Sequence, residues 1–522
     1  MAAIIASART EQRGQASRAD DAAAPGRAVL IHVNHRERPG KDNSTMQTSI
    51  SAHSTGTPAA RATATPTFDP QLIRKYDGLG PRYTSYPTAD RFHEGFGADA
   101  YVAALQARNE MRPVAPLSLY VHLPFCDTIC YYCACNKIVT RNRAHAAPYV
   151  EALTQEIAQV GALVHGDPPV SQLHWGGGTP TFLAHDEMST LMRALRTHFR
   201  FAADTEVSIE VDPRRVDAGT IAFLAELGFN RMSVGIQDFD PGVQQAVNRL
   251  QSEAGTRAVI DAARVNGFVS VNTDLIYGLP RQTVKGFAAT LEKVVAAAPD
   301  RIALYSYAHV PHLFKTQRQI VIAELPAADV KLDILALAID RLTRAGYVYI
   351  GMDHFALPGD ELAVAQREGK LHRNFQGYST RPDCDLLGFG ISAIGKVGPT
   401  YAQNVRTLDD YYARMHSGIL PTLRGIELGF DDLVRRDVIQ RVMCDFALDF
   451  SDVEAAHGID FPRYFAPELE ALDTLMDDGL IEIDERRLAI TARGRLLVRA
   501  VAMRFDRHLR ESRERARYSR VI

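Results

Sequence analysis

The sequence contains no run of 18 or more uninterrupted apolar residues, the length a helix needs to cross a bilayer, so no membrane span is expected. Cysteine is scarce, with six in 522 residues, and four of these fall within ten positions. That distribution is not the framework of a secreted disulfide protein and suits a reducing cytoplasm. Excess charge is also missing. Fifty-nine basic and 62 acidic side chains leave a net charge of −3, so no global field favours nucleic acid or an anionic membrane. No basic start leads into a long apolar stretch, which argues against a signal peptide, and Glu11, Asp20 and Asp21 argue against a transit peptide.

What is present is a globular composition, 46% apolar and 23% charged, in a chain long enough for two or three domains. Residues 1–68 are rich in Ala, Ser, Thr, Arg and Gly without hydrophobic periodicity and are expected to be a disordered extension. Residues 69–110 are expected to form an N-terminal arm, whose first part, 69–92, is aromatic and Pro-rich without clear periodicity and is expected to pack extended rather than helical. Over 111–355, strand candidates at 117–124, 172–177, 206–212, 231–237, 269–277 and 301–310 alternate with amphipathic helical stretches such as 148–164 and 216–228. Their spacing, about 25 to 55 residues, predicts an α/β fold of βα units around a parallel sheet. Six units fall short of the eight of a full barrel, and a partial barrel or a doubly wound sheet both fit the pattern. Residues 356–522 change character. Helical stretches such as 432–448 precede a strand–turn–strand–helix pattern at 479–501, and this predicts a mainly helical, winged-helix-like C-terminal domain. The basic end, 507–522, alternates charge and is expected to be a solvated helix face.

Chemically capable residues gather at the C-terminal ends of the strand candidates: Cys126, Gly176 to Thr179, Glu210, Asp212, Gln237, Asp274 and His309. Parallel α/β architectures build active sites on that edge, so the pattern favours an enzyme.

The densest signal is 126-CDTICYYCAC-135, with spacing C-x3-C-x2-C and then C-x-C. Wound helically at about 100° per residue, Cys126, Cys130 and Cys133 fall at about 0°, 40° and −20°, and Cys135 about 180° from Cys126. Three thiolates on one side suit an iron–sulfur cluster with one iron left without cysteine. The competing reading is structural zinc, which wants four N/S ligands in paired knuckles; no second knuckle follows here. Cys384 and Cys444 stand alone and are read as ordinary thiols.

The C-x3-C-x2-C run with an aromatic before its last cysteine resembles the radical S-adenosylmethionine superfamily. The wider set is sharper: GPRYTSYPTA (80–89), YVHLPFCDTICYYCACNKIVTR (120–141), QLHWGGGTPT (172–181), SIEVDP (208–213), GFNRMSVGIQDF (228–239), DLIYGLP (274–280) and GMDHFA with HRNFQGYST (351–380). Together they resemble the oxygen-independent coproporphyrinogen III oxidase family, from about residue 70 to the C-terminus. One departure is Tyr132, where the family commonly has Phe.

The resemblance implies a partial (β/α)6 TIM-like barrel with the arm and C-terminal domain covering the active site. It implies oxidative decarboxylation of two propionates of coproporphyrinogen III to vinyl groups, giving protoporphyrinogen IX in haem biosynthesis. Cys126, Cys130 and Cys133 would hold a [4Fe-4S] cluster, and S-adenosylmethionine bound there would yield a 5′-deoxyadenosyl radical. Two S-adenosylmethionine molecules are implied. Tyr120, Gly177, Glu210 and Ile394 match contacts to the first; Tyr132, Gly178, Thr179, Gln237, Arg249, Asp274 and Ala308 match contacts to the second. Cys135, Tyr120 and His122 are expected near the reacting groups. A low-potential electron donor protein, flavodoxin- or ferredoxin-like, is implied, and the chain is expected to be a cytoplasmic monomer.

Read from the residues alone, the glycines of 176–178 permit close backbone approach, or simply turn the chain tightly. Tyr120 and His122 share a strand face and point either to a cofactor or to each other. Glu210 and Asp274 can accept from ribose hydroxyls or an ammonium, or form ordinary salt bridges. Arg82 and the HRN stretch at 372–374 are candidates for the substrate carboxylates. Two rivals remain: a haem-trafficking chaperone of the same superfamily, disfavoured by Cys135 and the GPRYTSYPTA arm, and a zinc-knotted nucleic-acid regulator, disfavoured by the near-neutral charge.

Overall fold

The computed structural model describes residues 65–165, 167–381 and 384–511. The extension expected at 1–68 lies almost entirely outside the described residues, as does the end of the basic tail.

Six parallel strands form the centre: β1 Leu117–Leu123, β2 Val170–Gly177, β3 Phe201–Val211, β4 Arg231–Gln237, β5 Ser270–Tyr277 and β6 Arg301–Ser306. β1, β2, β3, β4, β5 and β6 pair in that order, each with the next, all parallel. β1 is buried on both faces, which is why LSLYVHL reads as a nearly continuous apolar run rather than an alternating one. Helices follow each strand, among them Ala146–Leu163, His185–His198, Ala218–Glu226, Glu253–Val265, Val284–Ala297 and Ala328–Arg344. Ala146–Leu163 buries Tyr149, Val150, Leu153, Ile157 and Val160, spaced three and four apart, against the sheet. The molecule is the partial TIM-like barrel expected.

Two sequence expectations need correction. The arm is not purely extended, because Pro70–Tyr76 is a helix. Asp69 caps it by accepting from the N–H groups of Gln71 and Leu72, and Leu72 and Ile73 bury against the C-terminal domain. Two turns are too few for periodicity to reveal. The second correction concerns the boundary drawn at 355/356. Asp385–Phe389 pairs parallel to β1, and Ile394–Val397, Thr400–Asn404 and Thr422–Glu427 extend that edge antiparallel. With Val348–Gly351 and His354–Ala356 beyond β6, the sheet reaches 12 strands, so the boundary cuts through it. Pairing between segments some 270 residues apart leaves no trace in local spacing.

The remaining C-terminal part is helical, with a small antiparallel sheet of Ala447–Asp449, Arg487–Ile490 and Ile481–Ile483. The arm is fastened to it. Arg499 donates from Nε to the Pro81 carbonyl oxygen at 2.9 Å and also bonds the Gly80 carbonyl oxygen. Tyr83 donates to Asp506 at 2.9 Å. Between them, Arg82 pairs with Asp353 at the far edge of the sheet. Among the described residues no helix is long and apolar enough to cross a membrane.

Candidate active site

Strand geometry supplies the floor of the site. Alternate residues of each strand face the barrel interior, and the pairing sets Tyr120 beside His174 and Glu210 beside Ser233. At the C-terminal ends of β1 to β5 these interior positions open on a cavity of about 160 Å³. Its lining includes Cys126, Cys130, Cys133 and Cys135 on one side, and Glu210, Gln237, Arg249 and Asp274 on the other.

The cysteine loop is not the helix of the sequence argument. Residues 126–135 run through bends and a turn at Tyr131 and Tyr132, closed by a bond from Cys133 N to the Cys130 carbonyl oxygen at 3.1 Å. Cys135 consequently does not point away. It lines the same cavity, and its thiol hydrogen-bonds Cys133, an interaction that favours the Cys133 thiolate and disfavours that of Cys135. Cys126 receives a bond from Thr179 Oγ1 at 3.6 Å. Cys130 receives bonds from Arg214 Nη2 and Arg249 Nη1, each at 3.7 Å. Asp212 stands behind both arginines, at 2.6 Å from Arg214 and 3.4 Å from Arg249, and burial works against its charge but Arg249 and Arg214 hold it at about 2.

The glycines make a cradle. Gly178 lies so close to β1 that a Cβ there would stand 2.6 Å from the backbone carbon of Pro124. At Gly177 the backbone is left-handed, with φ 114°, and a Cβ would meet the His122 ring at 2.6 Å. Gly177 N–H instead donates to Glu210 Oε2 at 3.0 Å. Burial disfavours the Glu210 charge, yet His174 and the Gly177 N–H outweigh it and hold its carboxyl below the ordinary range. Asp274 goes the other way. Burial and the nearby Glu210 charge push it up to about 6, despite bonds from Asn272 Nδ2 at 2.9 Å and Ser233 Oγ at 3.3 Å.

Gln237 sits at a β-bulge between β4 and β5 with φ 67°, a conformation that swings its side chain into the cavity. Its Oε1 and the Arg249 Nε are buried without a protein partner. Tyr132, 5% exposed, packs against Val243, Val247 and Ile276 beneath the loop.

Four of the sequence candidates do not line this cavity. Tyr120 and His122 share a strand face, as expected, and bond to each other, OH to Nδ1 at 3.0 Å; His122 Nε2 also meets the Asn136 carbonyl oxygen at 2.9 Å. Tyr120 further stacks on His174 at 5.9 Å. Ala308 lies just past β6, its carbonyl oxygen accepting from Gln317 Nε2 at 3.2 Å. Ile394 packs with Phe92, Tyr401 and Leu428 on the added antiparallel strands. Sequence reasoning missed Arg214, Lys137, Thr316 and Gln317. Lys137 Nζ and Thr316 Oγ1 both donate to the Cys133 carbonyl oxygen, at 3.1 and 3.0 Å, and Gln317 donates to that of Tyr132 at 3.2 Å. Only the adjacency of Arg214 to the SIEVDP motif and the place of Lys137 inside the 120–141 motif could have flagged any of them.

Known proteins share both sequence and shape. The Radical SAM superfamily profile matches residues 120–294, and the HemN C-terminal domain profile matches 431–497. The chain is 51% identical over 455 residues to the oxygen-independent coproporphyrinogen III oxidase of Escherichia coli K12, covering 87% of this chain and 98% of that one. It is 50% identical over 457 residues to the Pseudomonas aeruginosa protein of the same name, covering 87% and 99%. The chain belongs to the oxygen-independent coproporphyrinogen III oxidase family. The solved Escherichia coli coproporphyrinogen III oxidase (HemN), described as a radical SAM enzyme, superposes with a TM-score of 0.81 at 50% identity, over 85% of this chain and all of that one.

The cofactors of this radical SAM family, a [4Fe-4S] cluster and S-adenosylmethionine, fit the residues present. The thiols of the cysteine loop line one cavity, a donor set that suits an iron–sulfur cluster. The unpartnered Gln237 Oε1 and Arg249 Nε, and the glycine backbone opposite the thiols, offer the polar contacts an adenosyl cofactor takes.

Proposed function

We propose that this chain oxidatively decarboxylates two propionates of coproporphyrinogen III to vinyl groups, giving protoporphyrinogen IX. In each round a hydrogen atom leaves the propionate β-carbon, carbon dioxide departs, and one electron passes to an external acceptor. One observation carries the reading: a cysteine loop and a glycine-lined strand end face each other across one cavity, with an ionised Glu210 on its far wall.

When bound, the cluster and S-adenosylmethionine supply the hydrogen-abstracting radical by one-electron cleavage of the sulfonium. Cys126, Cys130 and Cys133 would hold the cluster, and the Arg214 and Arg249 guanidiniums donate to the Cys130 sulfur. Glu210 and Gly177 suit the first cofactor molecule, an anionic carboxylate meeting its ammonium or ribose hydroxyls, with Tyr120 and Ile394 behind them. Gly178, Thr179, Gln237, Arg249, Asp274, Tyr132 and Ala308 suit the second. Cys135, beside Cys133, and the Tyr120–His122 pair stand close to where the chemistry occurs. The arm and the C-terminal domain cover the barrel, excluding water and oxygen. We place the protein in the reducing cytoplasm as a monomer supplied by a low-potential flavodoxin- or ferredoxin-like donor; all six cysteines are free thiols.

The test is anaerobic reconstitution with iron and sulfide, then incubation with S-adenosylmethionine, a low-potential reductant and coproporphyrinogen III. Formation of 5′-deoxyadenosine together with protoporphyrinogen is expected. Haem binding without turnover would assign the chain to trafficking instead.

A further inference from the structure

The cavity beside the cysteines is too small for a tetrapyrrole, and a larger one lies elsewhere. A cavity of about 720 Å³ opens between the arm (Tyr83 to Tyr86), the edge strands next to β1, the hairpin of His372–Asn374 and Gly377–Ser379, and the helix Phe430–Asp445. That volume lies in the range of small-molecule sites, about 300–1,000 Å³.

Its cations are the informative feature. Several are already neutralised: Lys370 pairs with Glu368, Arg381 with Asp204, and Arg441 with Asp437, which His457 also bonds. Arg373 and Arg436 are different. Among the described residues neither is ion-paired, and each has a buried Nη1 with no partner. Arg373 is 4% exposed, its Nε donating to the Arg82 carbonyl oxygen at 3.3 Å and its guanidinium lying over the Tyr378 ring. A guanidinium desolvated without an anion is costly, and planar donors of this kind match a carboxylate. The carboxylates lining the same cavity are Asp437, already engaged, and Asp445, which has its own interaction.

The cavity also borders the barrel interior. Asn374 lines both it and a smaller cavity of about 140 Å³ inside the barrel. That inner cavity shares Glu210, Ser233, Asp274 and Tyr305 with the cysteine cavity. Each cavity thus shares lining residues with the next.

We propose that the 720 Å³ cavity holds the body of an apolar macrocycle bearing several carboxylates, with Arg373 and Arg436 as the residues that clamp the carboxylates not undergoing reaction. Tyr401 and Phe430 supply apolar wall for the ring system. This rests on the decarboxylase reading and adds where the substrate sits.

The probe is coproporphyrin III, the oxidised, fluorescent and unreactive form of the macrocycle, titrated into the anaerobically reconstituted full chain. Arg436→Gln, at a partly exposed position, and Arg373→Lys, which keeps the charge but loses the planar fork, should each weaken binding roughly tenfold or more, the loss of one charge-assisted contact. Cluster iron and S-adenosylmethionine affinity should not change. The tetramethyl ester should bind poorly to every form. Wild-type affinity in both variants, or equal binding of acid and ester, overturns the proposal while leaving the decarboxylase reading intact. If the unmodified chain neither binds coproporphyrin III nor converts coproporphyrinogen III, the decarboxylase reading itself fails.

Discussion

Gln317, 1% exposed, spans from the end of the barrel to the cysteine loop: its Nε2 donates to the carbonyl oxygens of Tyr132 and Ala308, each at 3.2 Å, while its Oε1 accepts from Val310 N–H at 2.6 Å. One amide therefore ties the loop that carries Cys133 to the strand end that carries Ala308. Replacing it with Leu strands three buried backbone groups, at about 1–3 kcal/mol for each that stays dry. Amide hydrogen exchange at residues 130–135 should accelerate by roughly tenfold or more, while the distant strands keep their protection. Unchanged exchange in the loop would remove Gln317 from this role.

The cysteines should divide three and one. Cys126→Ser is expected to lose cluster iron and the visible absorbance of the reconstituted protein. Cys135→Ser should keep both and lose activity, the C-x3-C-x2-C set of Cys126, Cys130 and Cys133 sufficing to hold the cluster. Loss of iron in both variants would mean a four-cysteine site.

Glu156, 2% exposed on helix Ala146–Leu163, accepts from Gly390 N–H, Asn404 Nδ2 and Tyr411 OH at 2.8, 2.7 and 2.6 Å. Burial outweighs the three bonds and pushes its carboxyl up to about 7 from an ordinary 4.5. A carboxyl raised on folding binds its proton more tightly in the native state. Its contribution is complete below pH 4.5 and is lost as pH rises through about 7, by about 3 kcal/mol at most. Urea unfolding at pH 5 and pH 8 should show a larger fall for the wild-type chain than for Glu156→Gln.

The Arg82–Asp353 pair is mostly buried, with side-chain exposures of 16% and 12%. Removing one member leaves an uncompensated charge, so Asp353→Ala should cost about 3–5 kcal/mol. The double variant Arg82→Met, Asp353→Ala should recover part of that loss. A double-mutant cycle by chemical denaturation measures the coupling; additive effects would show that the pair does not act as a unit.

The barrel was legible because its signals are local. Each of β1 to β6 is an apolar run closed by a chemically capable residue, and each lies within a few residues of the span read from sequence. Glu210, Gln237 and Asp274 followed from that edge. The failures are long-range. The helical projection of the cysteine loop set Cys135 opposite its neighbours, but a turn at Tyr131 and Tyr132 brings it back beside Cys133. Thr316 and Gln317 reach the loop from more than 180 residues away. Asp385–Phe389 joins β1 from the other end of the chain. None of these meetings has a period or a motif. Of the two readings of Tyr120 and His122, the structure shows the bonded pair: they share one strand face and bond each other, with His122 against Gly177.

The fastening of the arm has a consequence for synthesis. Arg499 bonds Pro81 and Gly80 across more than 400 residues, and Tyr83 bonds Asp506. A chain emerging in order from its N-terminus must hold residues 80–83 uncommitted until nearly the last described helix has been made. Closing a loop of that size is slow compared with local folding. The barrel strands can pair and the cysteine loop can form while the arm is still loose. Docking of the arm on the C-terminal helices is therefore among the last events of folding, after the cysteine cavity, lined wholly by residues 126–305, can already exist.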